Sequence, residues 1–108
     1  MTKDAITARA KVQNGGYMYR LGKRGRSETG KDAQFWSLEH PKAPGYAQKY
    51  GIPEENIANA DFIERATIKD GSNFVTRKAP AVGNNKGGGM EIVTAKDGVN
   101  IESHTTLD

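Results

Sequence analysis

Apolar residues in this chain come in short bursts divided by glycine, proline and polar clusters, and no helical period persists for long. Near the N-terminus Ala5, Ile6, Ala8, Ala10 and Val12 sit among polar residues, with Thr2 placed to cap a helix and Asn14-Gly15-Gly16 to end it. That spacing predicts helix over 2–13, with an edge strand over Ile6–Val12 as the competing reading. Tyr17–Leu21 and Gln34–Leu38 carry the aromatics and alternation of strands. Phe35 and Trp36 then point to opposite faces, one buried and one partly exposed. Pro44 opens a short helix, Gly45–Tyr50, stopped by Gly51, and Tyr46 and Tyr50 share a face of it as a packing pair rather than a base-stacking platform. Pro53–Ile57 is a further helical turn, with acids where a helix start favours them.

Strands dominate from there: Asp61–Ile68, Asn73–Arg77, Gly89–Thr94 and Val99–Thr106. Lys69-Asp70-Gly71 and Lys96-Asp97-Gly98 are hairpin-type turn signals, and Ala79–Gly88, rich in Pro, Asn and Gly, reads as an exposed loop. Gly87-Gly88-Gly89 either brings the backbone close to a ligand or loosens that loop; the Lys and Ser/Thr of a phosphate-binding loop do not follow it. The pattern predicts an α+β fold, with early helical material packed on a twisted antiparallel sheet of about five to six strands. A length of 108 residues fits one domain, 1–108.

Composition narrows the chemistry. With 35% hydrophobic residues the core must be economical, while 27% charged is ordinary for a globular surface. There is no cysteine, which excludes a disulfide framework, a thiolate nucleophile and a Cys-ligated zinc. No apolar run approaches the ~20 residues of a membrane helix, so no membrane anchor is expected. Neither histidine has a partner at metal-ligand spacing, and no metal or cofactor is expected. A net charge of +3 points to a phosphate-bearing or acidic partner.

Alternation along the last strand places Asn100, Glu102, His104 and Thr106 on one face, opposite Val99, Ile101, Ser103 and Thr105. Acid, imidazole and hydroxyl in a row suit RNA cleavage, which needs a base for the 2′-hydroxyl, an acid for the leaving oxygen and cations for the phosphorane. His104 and Glu102 would share acid and base, Thr106 would position a phosphate oxygen, and Arg20, Arg65 or Arg77 would grip the phosphate. Lys23 and Arg24, in the basic loop Lys23-Arg24-Gly25-Arg26, would steer it. An ordinary solvated sheet face would show the same pattern. His40, beside Pro41, reads as a loop histidine with a local hydrogen bond.

Tyr19-Arg20-Leu21-Gly22, Phe35-Trp36-Ser37-Leu38-Glu39, Tyr46-Ala47-Gln48-Lys49-Tyr50-Gly51 and Gly87-Gly88-Gly89-Met90-Glu91 resemble pieces of the C-terminal toxin domains of bacterial polymorphic and contact-dependent growth inhibition toxins. That resemblance implies a catalytic module delivered as part of a larger secreted or surface toxin, acting in the target-cell cytoplasm and neutralised by a cognate immunity protein. It also implies a barnase/EndoU/colicin/RelE-like ribonuclease attacking tRNA, with a host translation factor as a further partner. The same motifs resemble ADP-ribosyltransferase-like and NAD glycohydrolase toxins, which use an arginine, a serine and a late glutamate on successive strands; Arg20, Ser37 and Glu91 match in that order. A small basic protein-binding module without enzymatic activity is the third alternative.

Overall fold

A computed structural model describes residues 2–23, 33–95 and 97–107. Helix α1 (Lys3–Gln13) begins where expected: the Thr2 hydroxyl accepts a hydrogen bond from the Ala5 amide at 3.2 Å, and the Asn14 amide closes onto Ala10 O. Its Ala5, Ala8 and Val12 are buried, which settles helix over edge strand. The strands are β1 (Met18–Gly22), β2 (Ala33–Ser37), β3 (Phe62–Ile68), β4 (Phe74–Lys78), β5 (Met90–Ala95) and β6 (Val99–Thr106), with short helices α2 (Tyr46–Tyr50) and α3 (Glu54–Ala58) between β2 and β3. They form one six-stranded antiparallel sheet in the order β4-β5-β2-β1-β3-β6. The fold is α+β: an N-terminal helix and short helices on an open antiparallel sheet.

The hairpin expectations are corrected. Lys69-Asp70-Gly71 does turn, with Gly71 at φ 79°, but it joins β3 to β4, which lie four places apart in the sheet. The connection from Ala95 to Val99 likewise joins β5 to β6, again four places apart, and Gly98 donates to Ala95 O at 3.0 Å. Four flat strand spacings cover ~19 Å, whereas the chain from Ala95 to Val99 reaches at most about 14 Å. The sheet must therefore curl. The two connections meet: the Lys69 amide donates to Gly98 O at 3.0 Å.

One face of α1 packs against the concave side of the curl. Ala8 and Val12 form one core cluster with Met18, Trp36, Ala66, Phe74, Ile92 and Val99, so that every strand, both edges included, contributes to it. This inner face carries every second residue of each strand. Its opposite, the outer face, carries Tyr19, Ser37, Glu91 and Arg77, which are aligned by the pairs Tyr19↔Ser37, Ser37↔Glu91 and Arg77↔Glu91.

The Gly-rich segment is not a loose loop. Ala79 is buried with Tyr46 and Tyr50, the Gly87 and Gly89 amides donate to Gln48 O and Lys49 O at 2.8 and 2.9 Å, and Asn85 Nδ2 donates to Ile52 O at 2.9 Å. Two of its glycines, Gly87 and Gly89, bring backbone close to α2.

Candidate active-site cleft

The central pair of strands is the weakest seam of the sheet. β1 meets β3 along its whole length, from Met18↔Ala66 to Gly22↔Phe62, but it meets β2 only at Tyr19↔Ser37. Beyond that pair the strands part. Arg20, Leu21, Gly22 and Lys23 on one side and Phe35, Trp36 and Ser37 on the other line a cavity of about 570 Å³. Tyr46, Tyr50, Ile52, Asn56 and Asn59 wall it from the helices, and Glu91 enters from β5. The size suits a small-molecule site, and the lining joins the rings of Phe35, Trp36, Tyr46 and Tyr50 to the charged and amide side chains of Arg20, Lys23, Glu91, Asn56 and Asn59.

Three of its polar residues come from three strands. Arg20 projects from the parted end of β1, only 12% exposed, with its guanidinium 5.5 Å from the Trp36 ring centroid. Ser37 is buried at the seam, and its Oγ contacts Glu39 O at 2.8 Å, Tyr19 O at 3.2 Å and the Tyr46 hydroxyl at 2.8 Å. Glu91, directly opposite Ser37 on β5, is buried and accepts from Arg77 Nε at 2.6 Å. Trp36 is 1% exposed, its indole N–H donating to Thr94 Oγ1 at 3.0 Å, while Phe35 is 50% exposed under the Arg77 guanidinium. The opposite-face expectation for these aromatics holds.

Tyr46 and Tyr50 pack ring to ring at 4.9 Å, both buried, as a packing pair. Burial pushes the Tyr46 phenol up, against the Ser37 hydrogen bond that lowers it, and the nearby Glu39 carboxylate pushes it further. Burial and the same carboxylate push Tyr50 up to about 12. The folded state therefore holds the Tyr50 proton more tightly than the unfolded chain, whose phenol titrates at about 10. The corresponding stabilisation is complete below about pH 10 and is lost as pH rises toward 12. A tyrosinate absorbance titration should show this phenol ionising late, with the melting temperature falling over the same window.

The surface anticipated for RNA cleavage does not assemble. The register of β3 against β6 shifts between Arg65↔Ser103 and Ala66↔Ile101, leaving Glu102 in a bulge. Glu102 accepts from Thr67 Oγ1 at 3.1 Å, whereas His104 and Thr106 lie opposite Glu64 and Phe62. Glu102 is thus on the outer face and His104 and Thr106 on the inner, and the strict alternation that united them fails at the bulge. The arginines divide too. Arg20 shares the inner face with His104, but Arg65 and Arg77 belong to the outer, Arg65 over the Tyr17 ring at 4.3 Å and Arg77 over Phe35. Lys23 lines the cleft; Arg24 lies outside the described residues. His40 accepts a local hydrogen bond at Nδ1 from the Lys42 amide at 3.0 Å, as expected of a loop histidine.

One residue of this neighbourhood escaped the sequence reading. Glu64 Oε1 bonds Arg20 at 2.6 Å and its Oε2 bonds His104 Nδ1 at 2.9 Å. The signal was there: Phe62, Glu64, Ala66 and Ile68 share one parity, so a carboxylate interrupts an apolar stripe, and a charge at such a position needs a partner. Among the described residues no cluster of His, Asp and Glu could hold a metal ion, and no helix is long and apolar enough to cross a membrane.

No protein-family model matches the chain, and no curated protein sequence matches it. Among solved structures the fold is similar to that of Tne2, determined in complex with Tni2, at 14% identity and a TM-score of 0.61, covering 86% of this chain and 85% of that one. At that identity the likeness is one of fold.

Proposed function

We propose that this chain is an NAD-consuming toxin domain, an NAD glycohydrolase or ADP-ribosyltransferase, whose active site is the cleft between β1 and β2. The observation that carries the reading is convergence: Arg20, Ser37 and Glu91, which match the arginine, serine and late glutamate of such toxins in order, line one cavity, where the parting of the central strands brings the inner-face Arg20 to the same opening as the outer-face Ser37 and Glu91. Arg20 grips the pyrophosphate of the dinucleotide. Trp36, Tyr46 and Tyr50 offer aromatic walls for its rings. Ser37 ties the seam, linking β1, the segment after β2 and α2 through one oxygen. Glu91 faces the ribose. As the C1′–N bond to nicotinamide breaks, both bonding electrons leave with nicotinamide, and the carboxylate stabilises the positive charge on the sugar. Water, or a nucleophile of an acceptor protein, then adds to C1′ and gives up one proton.

The ribonuclease reading keeps His104 and Arg20 on one face but loses Glu102, Arg65 and Arg77 to the other. The likeness to a protein solved with a second protein bound supports neutralisation by a cognate immunity protein. The purified chain should consume NAD and release nicotinamide while total RNA, incubated in parallel, stays intact on a gel. Degraded RNA with unchanged NAD would reverse the assignment.

A further inference from the structure

Arg20, Glu64 and His104 form a cross-strand row on the inner face, since Arg20 pairs with Glu64 across β1 and β3 and Glu64 pairs with His104 across β3 and β6. Only the first of them lines the cleft. Glu64 Oε1 accepts from Arg20 Nε at 2.6 Å and also lies 2.6 Å from an Nη of the same guanidinium. Glu64 Oε2 meets His104 Nδ1 at 2.9 Å, so both carboxylate oxygens are engaged and the group cannot turn without breaking a contact. The imidazole is itself stacked on Phe62 at 4.6 Å, and the guanidinium lies 5.3 Å from that ring and 5.5 Å from Trp36. Arg20 and Glu64 are each 12% exposed, which strengthens the ion pair relative to one in open water.

We propose that Glu64 is a positioning residue for Arg20, fixing the guanidinium at the cleft wall before an anionic ligand arrives, and that His104 holds Glu64 in place from the next strand. An arginine free to rotate loses that freedom when it grips a pyrophosphate; one already clamped between a carboxylate and two rings does not. The device acts on ligand binding and not on the breaking bond, because Arg20 holds the phosphates and Glu91 faces the sugar. In this it rests on the NAD reading above. It also gives His104 a role that requires no contact with substrate.

The test is steady-state NAD consumption by the whole chain. Glu64→Gln keeps the shape of the side chain and removes its charge, and should raise KM about tenfold while kcat stays within about threefold. His104→Ala should raise KM about threefold, and His104→Gln, whose amide can still donate to Glu64, should restore it. A folded Glu64→Gln protein with parental KM and kcat overturns the proposal, whatever its melting temperature, because a purely structural ion pair would affect stability alone. Should Glu64→Gln fail to fold, the two His104 variants decide: a KM raised by Ala and restored by Gln supports the row, and no change in either overturns it. Should the parent chain consume no NAD, the functional reading fails separately. The positioning claim is then read from the nitrogen-15 spectrum of the arginine side chains, with the Arg20 Nε–H assigned by its loss in Arg20→Lys. Slow hydrogen exchange at that group, abolished by Glu64→Gln, supports the clamp; exchange unchanged by the substitution overturns it.

Discussion

Replacing Glu91 with Gln should lower the rate of NAD consumption by about three orders of magnitude while leaving the protein folded. The size follows from what is removed. Gln keeps the volume of Glu91 and an oxygen able to accept from Arg77 Nε, so the contact at 2.6 Å and the packing opposite Ser37 survive. The negative charge does not survive, and in the proposed reaction that charge is what faces the sugar carbon as nicotinamide departs. A buried carboxylate acts there in a medium of low polarity, where a fixed charge has far more effect than in water. The measurement is nicotinamide release at saturating NAD, with a thermal melt beside it. A Glu91→Gln protein that melts within a few degrees of the parent and turns over at the parental rate would remove Glu91 from the chemistry. The cleft and the NAD reading would then stand or fall on the parent assay.

The cleft could not have been placed from the sequence, although its residues could be named. Arg20, Ser37 and Glu91 are separated in the chain, and only the strand order β5-β2-β1 makes them neighbours. That order is invisible to turn chemistry. Asp70-Gly71 and Asp97-Gly98 mark reversals correctly because such residues favour tight turns, yet a turn specifies direction and not the partner to which the chain returns. Here both turns carry the chain around the curled sheet. The parting of β1 from β2 is a tertiary event of the same kind: alternation in Tyr17–Leu21 and Gln34–Leu38 predicts two strands and says nothing about how far they stay paired.

Local structure was legible to within a residue or two, since each element is bounded by residues with strong backbone preferences: Thr2 at the start of α1, Gly51 at the end of α2, Pro53 before α3. The bulge at Glu102 broke the face assignment on β6 because no glycine or proline announces it; Asn100, Ile101, Glu102 and Ser103 alternate as a regular strand would. Glu64 was hidden for a different reason. A positive patch is read from charges of one sign, whereas burial selects charges in pairs.

The Gly-rich segment before β5 makes a sharper demand on the backbone than its composition suggests, and Gly87→Ala should destabilise the protein by about 3 kcal/mol or more. Gly87 sits at φ 73°, a left-handed conformation that alone costs an alanine about 1–2 kcal/mol. A Cβ there would also stand 2.4 Å from Ala79 O and 2.6 Å from Pro80 O, both backbone atoms that cannot swing aside. Gly88 is the internal comparison: at φ 96° it pays the conformational cost, but a Cβ would meet nothing within 4 Å, so Gly88→Ala should lose only about 1–2 kcal/mol. For a domain of this size the difference amounts to a melting temperature lower by roughly 5–10 °C in Gly87→Ala, read by thermal unfolding. Activity should fall with it, because the Gly87 and Gly89 amides hold this segment to α2 and Glu91 follows directly on β5. Equal melting temperatures for the two variants would show that the segment yields easily, and that its hold on α2 is not what places the carboxylate.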